Sequence, residues 1–180
     1  MKKTVIEPHK SSLGLDANML SAILYAVFIV ITWFAVLIRY MPFIGGIIAN
    51  FFGLLSWAAP LAVFILEKNS KFVKVNALYS LFLTLVYSLI SGLFSIFRSM
   101  LYFITGSGAV SRFIWVISGF VGLIITAVFV WFAFMAYKYQ QAEFPGISPL
   151  VDKIIEKTVP VKSANPPPEN KNDPDNQNNT

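Results

Sequence analysis

The chain has no cysteine, a single histidine and only 13% charged side chains in 180 residues. Without cysteine it can form no disulfide, thiolate nucleophile, zinc knuckle or iron–sulfur site of its own. His9, flanked by Pro8 and Lys10, has no accompanying ligands or nucleophile, so it reads as a terminal side chain without a chemical role. Gly106-Ser107-Gly108 is too short for a phosphate-cradling loop and lacks the Lys-Ser/Thr ending such a loop needs. No carboxylate pair falls within an apolar run, which counts against proton-coupled transport and intramembrane proteolysis. The expectation is a protein without metal, cofactor or catalysis of its own.

What the chain has instead is apolar length. Between Arg39 and Glu67 lie 27 residues without a formal charge, and Met19–Ile38, Phe72–Phe97 and Phe113–Tyr137 are nearly as apolar. A helix of about 20 residues crosses a hydrocarbon core of about 30 Å at 1.5 Å per residue. A water-soluble fold of this size has too little interior for so much Phe, Ile, Leu and Val, as the mean hydropathy of +0.66 also indicates. The predicted fold class is therefore all-α: a polytopic four-transmembrane-helix bundle spanning residues 1–159, followed by a disordered Pro/Asn-rich tail over 160–180.

Boundary signals support four spans. Asp16 or Asn18 caps the first, and Arg39-Tyr40 closes it. The second starts at Pro42, tolerated in a first turn, and ends at Leu66 before Glu67-Lys68-Asn69. Phe72–Ala77 forms a turn before the third span, whose firmest stretch is Leu78–Phe97, and Leu101–Ile104 reads as an interfacial turn before the fourth. Apolar Leu150, Val151, Ile154, Ile155 and Val159 share one side of a short amphipathic segment suited to the membrane surface or the bundle end. Lys2 and Lys3 begin the chain like a signal peptide, but they lie far from the first apolar run and no small-residue cleavage site follows it, so that span is expected to be retained.

Small residues recur at helical spacing. Ser80, Thr84, Ser88 and Gly92 lie on one face of the third span, and Ser118, Gly122 and Thr126 on one face of the fourth. Lipid gives helices no hydrophobic reason to associate, so close backbone approach and interhelical hydrogen bonds must supply it. These residues read as helix packing first and as a hydroxyl-lined solute path second. Pro60 and Asn50 make the second span irregular, which fits either a packing kink or a broken helix around a polar site.

The segment Glu67-Lys68-Asn69-Ser70-Lys71-Phe72-Val73-Lys74-Val75-Asn76 stands out. Its lysines suit the headgroup zone, Phe72, Val73 and Val75 suit the interface, and Asn76 suits backbone groups where the third span enters lipid. Glu67 beside Lys68 reads as a paired or solvated interfacial carboxylate. The same residues, Glu67, Lys68, Lys71, Phe72, Val73, Lys74 and Asn76, are candidates for setting topology or contacting a partner.

Phe64–Leu81 resembles the "LLEKENKFVRFHALQSL" pattern of the Tic20-like membrane proteins of domain-of-unknown-function 4870. Leu15-Asp16-Ala17-Asn18 is similar to that family's opening "LDxN", Tyr137-Lys138-Tyr139-Gln140 to the basic end of its last helix, and Phe144–Leu150 to its closing "PLIGxIA"-type segment. Asn76 stands where many relatives have His, and the distance from Asn18 to Glu67 admits two spans where compact relatives have one. That spacing resembles the plastid Tic20 arrangement. The resemblance implies a small helical membrane protein, in some distant relatives a translocon component.

With four spans, one side of the membrane receives Lys2, Lys3, Lys10, Lys68, Lys71, Lys74 and Lys138, and the other only Arg39, Arg98 and Arg112. The positive-inside bias then places both termini in the cytoplasm of a cell membrane. The net charge of +5 is a basic rim beside anionic headgroups and calls for no nucleic acid. Expected partners are the lipid bilayer and a membrane-protein partner or a second copy. The expected role is a structural or interaction subunit of a membrane assembly, the alternative a component of small-solute, lipid or peptide/protein transport. Single cysteines introduced at positions 10, 70 and 145 are expected to react with an impermeant thiol reagent from the cytoplasmic side, and those at 40 and 107 from the opposite side. A split among the first three would contradict four spans.

Overall fold

The computed structural model describes residues 3–38, 41, 44–142, 144 and 146–158, with the backbone alone for Lys3, Thr4, Asn50 and Ala142. The expectations for Arg39-Tyr40, Pro42, the Asn50 side chain, Val159 and the tail from 160 onward fall outside the described residues. The elements run β1 (Lys3–Val5), α1 (Ala17–Ile38), α2 (Gly45–Leu66), α3 (Lys71–Thr105), α4 (Gly108–Tyr137), β2 (Gln140–Ala142) and α5 (Ser148–Thr158).

Four of these helices, α1 to α4, are long and apolar enough to cross a membrane. Their outer surface fits that environment. Leu37, Leu54, Leu89, Leu93, Ile124 and Phe103 are among many large apolar side chains left exposed, with Phe103 at 90%. Contiguous apolar surface of this extent belongs against lipid rather than water. The chain is a multi-pass membrane protein with an all-α bundle, to which a short two-stranded ribbon is added.

Each boundary has a local cause. The Asp16 carbonyl accepts the Leu20 amide and the Asn18 side chain accepts the Met19 amide, opening α1. α2 continues through Pro60, which is fully buried. Proline brings no N–H to the Ser56 carbonyl, and one turn earlier the Ser56 hydroxyl donates to the Gly53 carbonyl at 2.6 Å. α3 is longer than its apolar stretch suggests, because Phe72–Ala77 and Leu101–Ile104 are helical rather than turns. The Ser70 hydroxyl accepts the Val73 amide at 3.2 Å and starts the helix early, and Gly106, at φ +61°, ends it in a left-handed conformation that favours glycine. Between Lys74 and Arg98 the helix has no charge for 23 residues, about 34 Å, close to the hydrocarbon thickness.

α2 and α4 each pack against both α1 and α3, and α1 and α3 touch each other across the bundle. Aromatic rings fill the half nearest the α2–α3 turn. Phe28 stacks on Phe129 with centroids 3.9 Å apart, Tyr87 meets Phe28 edge-on at 5.4 Å, and Tyr25 and Tyr79 pack on Phe132. The buried Tyr25 hydroxyl donates to the Asn76 side-chain carbonyl at 3.0 Å, and the Asn76 amide donates to the Phe72 carbonyl at 2.9 Å. A polar pair so satisfied can sit inside an apolar core without the penalty of an unmade hydrogen bond.

α5 lies on α3 at the same end of the bundle. Val151 and Ile155 are buried and Ile147 nearly so, whereas Asp152, Lys153, Glu156 and Lys157 are exposed. The Tyr79 hydroxyl lies 2.7 Å from the Ser148 hydroxyl at the start of α5. β1 pairs antiparallel with β2, so the N-terminal strand is tied to the segment leaving α4. The amphipathic pattern foretold the helix. The ribbon carried no comparable signal, since its strands are three residues each and Gln140-Gln141 has no apolar alternation.

Candidate functional site

The end of the bundle that holds the N-terminal loop, the α2–α3 turn and α5 gathers the Glu67–Asn76 segment and its neighbours, and Glu67 lies at its centre. The backbone of residues 9–17 curls into a compact loop: the Ser11 amide donates to Leu15, the Gly14 amide to Ser11 and the Ala17 amide to His9, with Gly14 at φ +83°. That curl directs the Ser12 amide at the Glu67 carboxylate, 3.0 Å from Oε1 and 3.2 Å from Oε2. From its own turn, the Asn69 and Ser70 amides each reach Oε1 at 2.9 Å. The Ser12 hydroxyl accepts the Lys68 amide at 2.9 Å, so the two loops are stitched in both directions.

Glu67 is therefore no solvated partner of Lys68, as its sequence position suggested. Its residue surface is 0% exposed. Burial pushes its carboxyl pKa up, but hydrogen bonds from the Ser11 hydroxyl and the Ser12, Ser70 and Asn69 amides outweigh burial and bring it down from 4.5 to about 2. The carboxylate stays ionised because the donors are fixed backbone groups already oriented toward it.

His9, read as inert from sequence, belongs to the same cluster. Its Nε2 lies 2.7 Å from the Ser70 hydroxyl and its Nδ1 2.8 Å from the Glu7 carbonyl. The imidazole sits against Phe72 and Tyr139, which stack on each other at 5.8 Å. The Tyr139 hydroxyl donates to the His9 carbonyl at 3.3 Å, and the Ile6 amide to the Tyr139 carbonyl at 3.0 Å. The Asn18 amide donates to the Tyr137 carbonyl at 2.8 Å, joining the start of α1 to the end of α4.

The turn itself divides into two faces. Phe72, Val73, Val75 and Asn76 point inward and are buried, rather than pressing into the interface. Lys68, Asn69 and Lys71 are exposed, and Lys74 is half-buried with its ammonium 5.9 Å from the Phe64 ring. Lys138 places its ammonium 4.2 Å over Phe134. Exposed lysines carried by a hydrogen-bonded turn make a fixed basic surface.

The small-residue stripes separate along their length. Ser80 and Thr84 are buried, with the Ser80 hydroxyl 3.4 Å from the Leu24 carbonyl across to α1. Trp57 on α2 donates to the Ser88 hydroxyl at 3.3 Å. Gly92 is exposed, with open space where a side chain would start. Ser118, Gly122 and Thr126 line a crevice of about 670 Å³ between α1, α3 and α4, and the Thr126 hydroxyl donates to the Gly122 carbonyl. Sequence spacing identified the α4 stripe but not the facing residues Ser91, Ser95 and Arg98 on α3.

Among the described residues no group of three or more His, Asp or Glu side chains is placed to hold a metal ion. The Glu67 cluster contains a carboxylate, an imidazole and hydroxyls, but the carboxylate is occupied by backbone amides rather than paired with the imidazole. No family model, curated protein or solved structure matches the chain.

Glu67 links stability to acidity in a defined direction. Its folded-state pKa is depressed, so its contribution is complete above the unfolded value of 4.5 and is lost as pH falls toward about 2. Denaturation of the detergent-solubilised protein is expected to show that loss over this window. Glu67→Gln is expected to cost roughly 2–3 kcal/mol at pH 7 and to flatten the acid limb. Equal stability of the variant at pH 7 would contradict the assignment.

Proposed function

We propose that the chain is a non-catalytic structural or interaction subunit of a membrane assembly in the cell membrane, with both termini cytoplasmic. The observation that carries this reading is the division of the α2–α3 turn. Glu67 and Asn76 are spent on internal hydrogen bonds, while Lys68, Asn69 and Lys71 are displayed on a surface those bonds hold in place. Residues arranged in this way favour docking over turnover, because the buried Glu67 carboxylate is already taken up by backbone amides. Lysine placement supports the orientation, as seven lysines near the membrane fall on the side of the termini.

The Tic20-like resemblance accords with this reading. Its motif positions are the ones that hydrogen-bond to one another at the basic end: Asn18 to Tyr137, and Tyr79 to Ser148. A membrane-protein partner or a second copy of the chain would meet both this surface and the exposed apolar flanks of the helices. The crevice between α1, α3 and α4 favours a second reading, a component of small-solute, lipid or peptide transport, since it brings hydroxyls and a cation to the edge of the apolar bundle.

Replacing Lys68 and Lys71 together by glutamine tests the assembly reading. The remaining lysines Lys2, Lys3, Lys10, Lys74 and Lys138 are expected to preserve orientation, while recovery of the copurifying membrane partner falls roughly fivefold, as loss of two exposed charge contacts implies. Unchanged recovery, accompanied by solute flux in liposomes containing the purified chain alone, would favour transport instead.

A further inference from the structure

The crevice lies at the opposite end of the bundle from Glu67, and charge, depth and shape there point to one kind of occupant. Arg98 stands at its mouth and also borders an adjoining hollow with Ser99, Tyr102 and Ser111. The side chain is exposed at the limit of the 23-residue uncharged stretch of α3, the level at which headgroup phosphates lie if Lys74 marks the opposite boundary. The sequence has no Asp or Glu between Asp16 and Glu67 or between Glu67 and Glu143. None of the four spanning helices, nor the turn joining α3 to α4, offers Arg98 or Arg112 a carboxylate. An anion from outside these segments has to neutralise them or they stay unpaired at the edge of a low-dielectric core.

Below Arg98 the crevice descends along α3 to Tyr87, eleven residues or about 16 Å, roughly half the hydrocarbon thickness. Its walls are mostly apolar: Trp33, Val36, Phe94 and Phe120 line the upper part, with Ser95 and Ser118 among them, and Leu123 lies deeper beside the Thr126 and Tyr87 hydroxyls. Gly119 and Gly122 leave open space where side chains would project, which widens the α4 wall. A cation at the phosphate level above a mostly apolar slot one leaflet deep matches an amphiphile's two parts.

We propose that this crevice binds one anionic phospholipid from the adjacent leaflet, with its phosphate on Arg98 and an acyl chain between α1, α3 and α4. Arginine suits the headgroup because its planar donors address two phosphate oxygens at once. The chain's apolar length distinguishes this occupant from a soluble phosphate, which would gain nothing from the lower crevice. Lipid occupancy is independent of the assembly reading, because the site lies at the other end of the bundle from Lys68 and Lys71.

Native mass spectrometry of the full-length chain, released from mixed micelles of phosphatidylglycerol and phosphatidylcholine, tests the proposal. One phosphatidylglycerol is expected to remain bound, about tenfold in preference to phosphatidylcholine, with Arg98→Gln abolishing the preference and Arg112→Gln retaining most of it. Gly122→Leu is expected to reduce retention of both lipids by filling the slot, with thermal melting confirming that each variant is folded. Equal retention of the two lipids by the unaltered chain would overturn the proposal without recourse to any variant. Displacement of bound phosphatidylglycerol by millimolar glycerol 3-phosphate would also overturn it, showing a free-phosphate site instead.

Discussion

A single buried carboxylate holds the basic end together. Glu67 follows directly on the last residue of α2, and a charge at that point would ordinarily reach for the headgroups. The structure turns it inward and surrounds it with donors from two separate stretches of chain. An ionised carboxylate without such donors could not remain buried there. Its hydrogen bonds fix the N-terminal loop against the α2–α3 turn, and Ser70, whose amide serves Glu67, also uses its hydroxyl to cap α3. The start of the longest helix is thereby tied to the loop that precedes the first.

From that junction order passes into the bundle through polar contacts that the apolar core alone would not specify. α3 brings Asn76 against Tyr25 of α1 and Tyr79 against Ser148 of α5. In lipid, where apolar contact between helices competes with equally apolar acyl chains, such contacts set register and partner choice. The arginine end is built differently. Its helices are longer than the hydrocarbon thickness requires, small residues replace bulky ones on facing sides of α3 and α4, and a crevice opens where the other half is filled by stacked rings. One end is closed by stacked rings, and the other holds the crevice.

The spans were legible because hydropathy over about 20 residues is a composition signal that needs no tertiary knowledge. The amphipathic face of α5 was legible for a similar reason, since Val151 and Ile155 recur at helical spacing. Glu67 was not, because its partners are backbone amides, which every residue has and no sequence pattern marks. The same is true of His9, whose contact with Ser70 joins residues 61 apart. The full extent of α3 was missed because lysine-rich turns look like helix ends, although Ser70 and Gly106 are the boundaries that local conformation uses. The stripe of Ser118, Gly122 and Thr126 was visible, but spacing on one helix does not tell whether the facing helix comes close or stands away.

The most direct test of the Glu67 junction is amide hydrogen exchange at Ser12, Asn69 and Ser70 in the intact protein held in lipid nanodiscs. All three amides donate to the carboxylate, and all three belong to irregular backbone, outside any helix or strand ladder. The account predicts exchange slowed by about a hundredfold or more relative to an unstructured chain, with protection at all three lost together in Glu67→Ala, which leaves no acceptor oxygen. Exchange at the unprotected rate in the unaltered protein, or protection that survives the substitution, would contradict it.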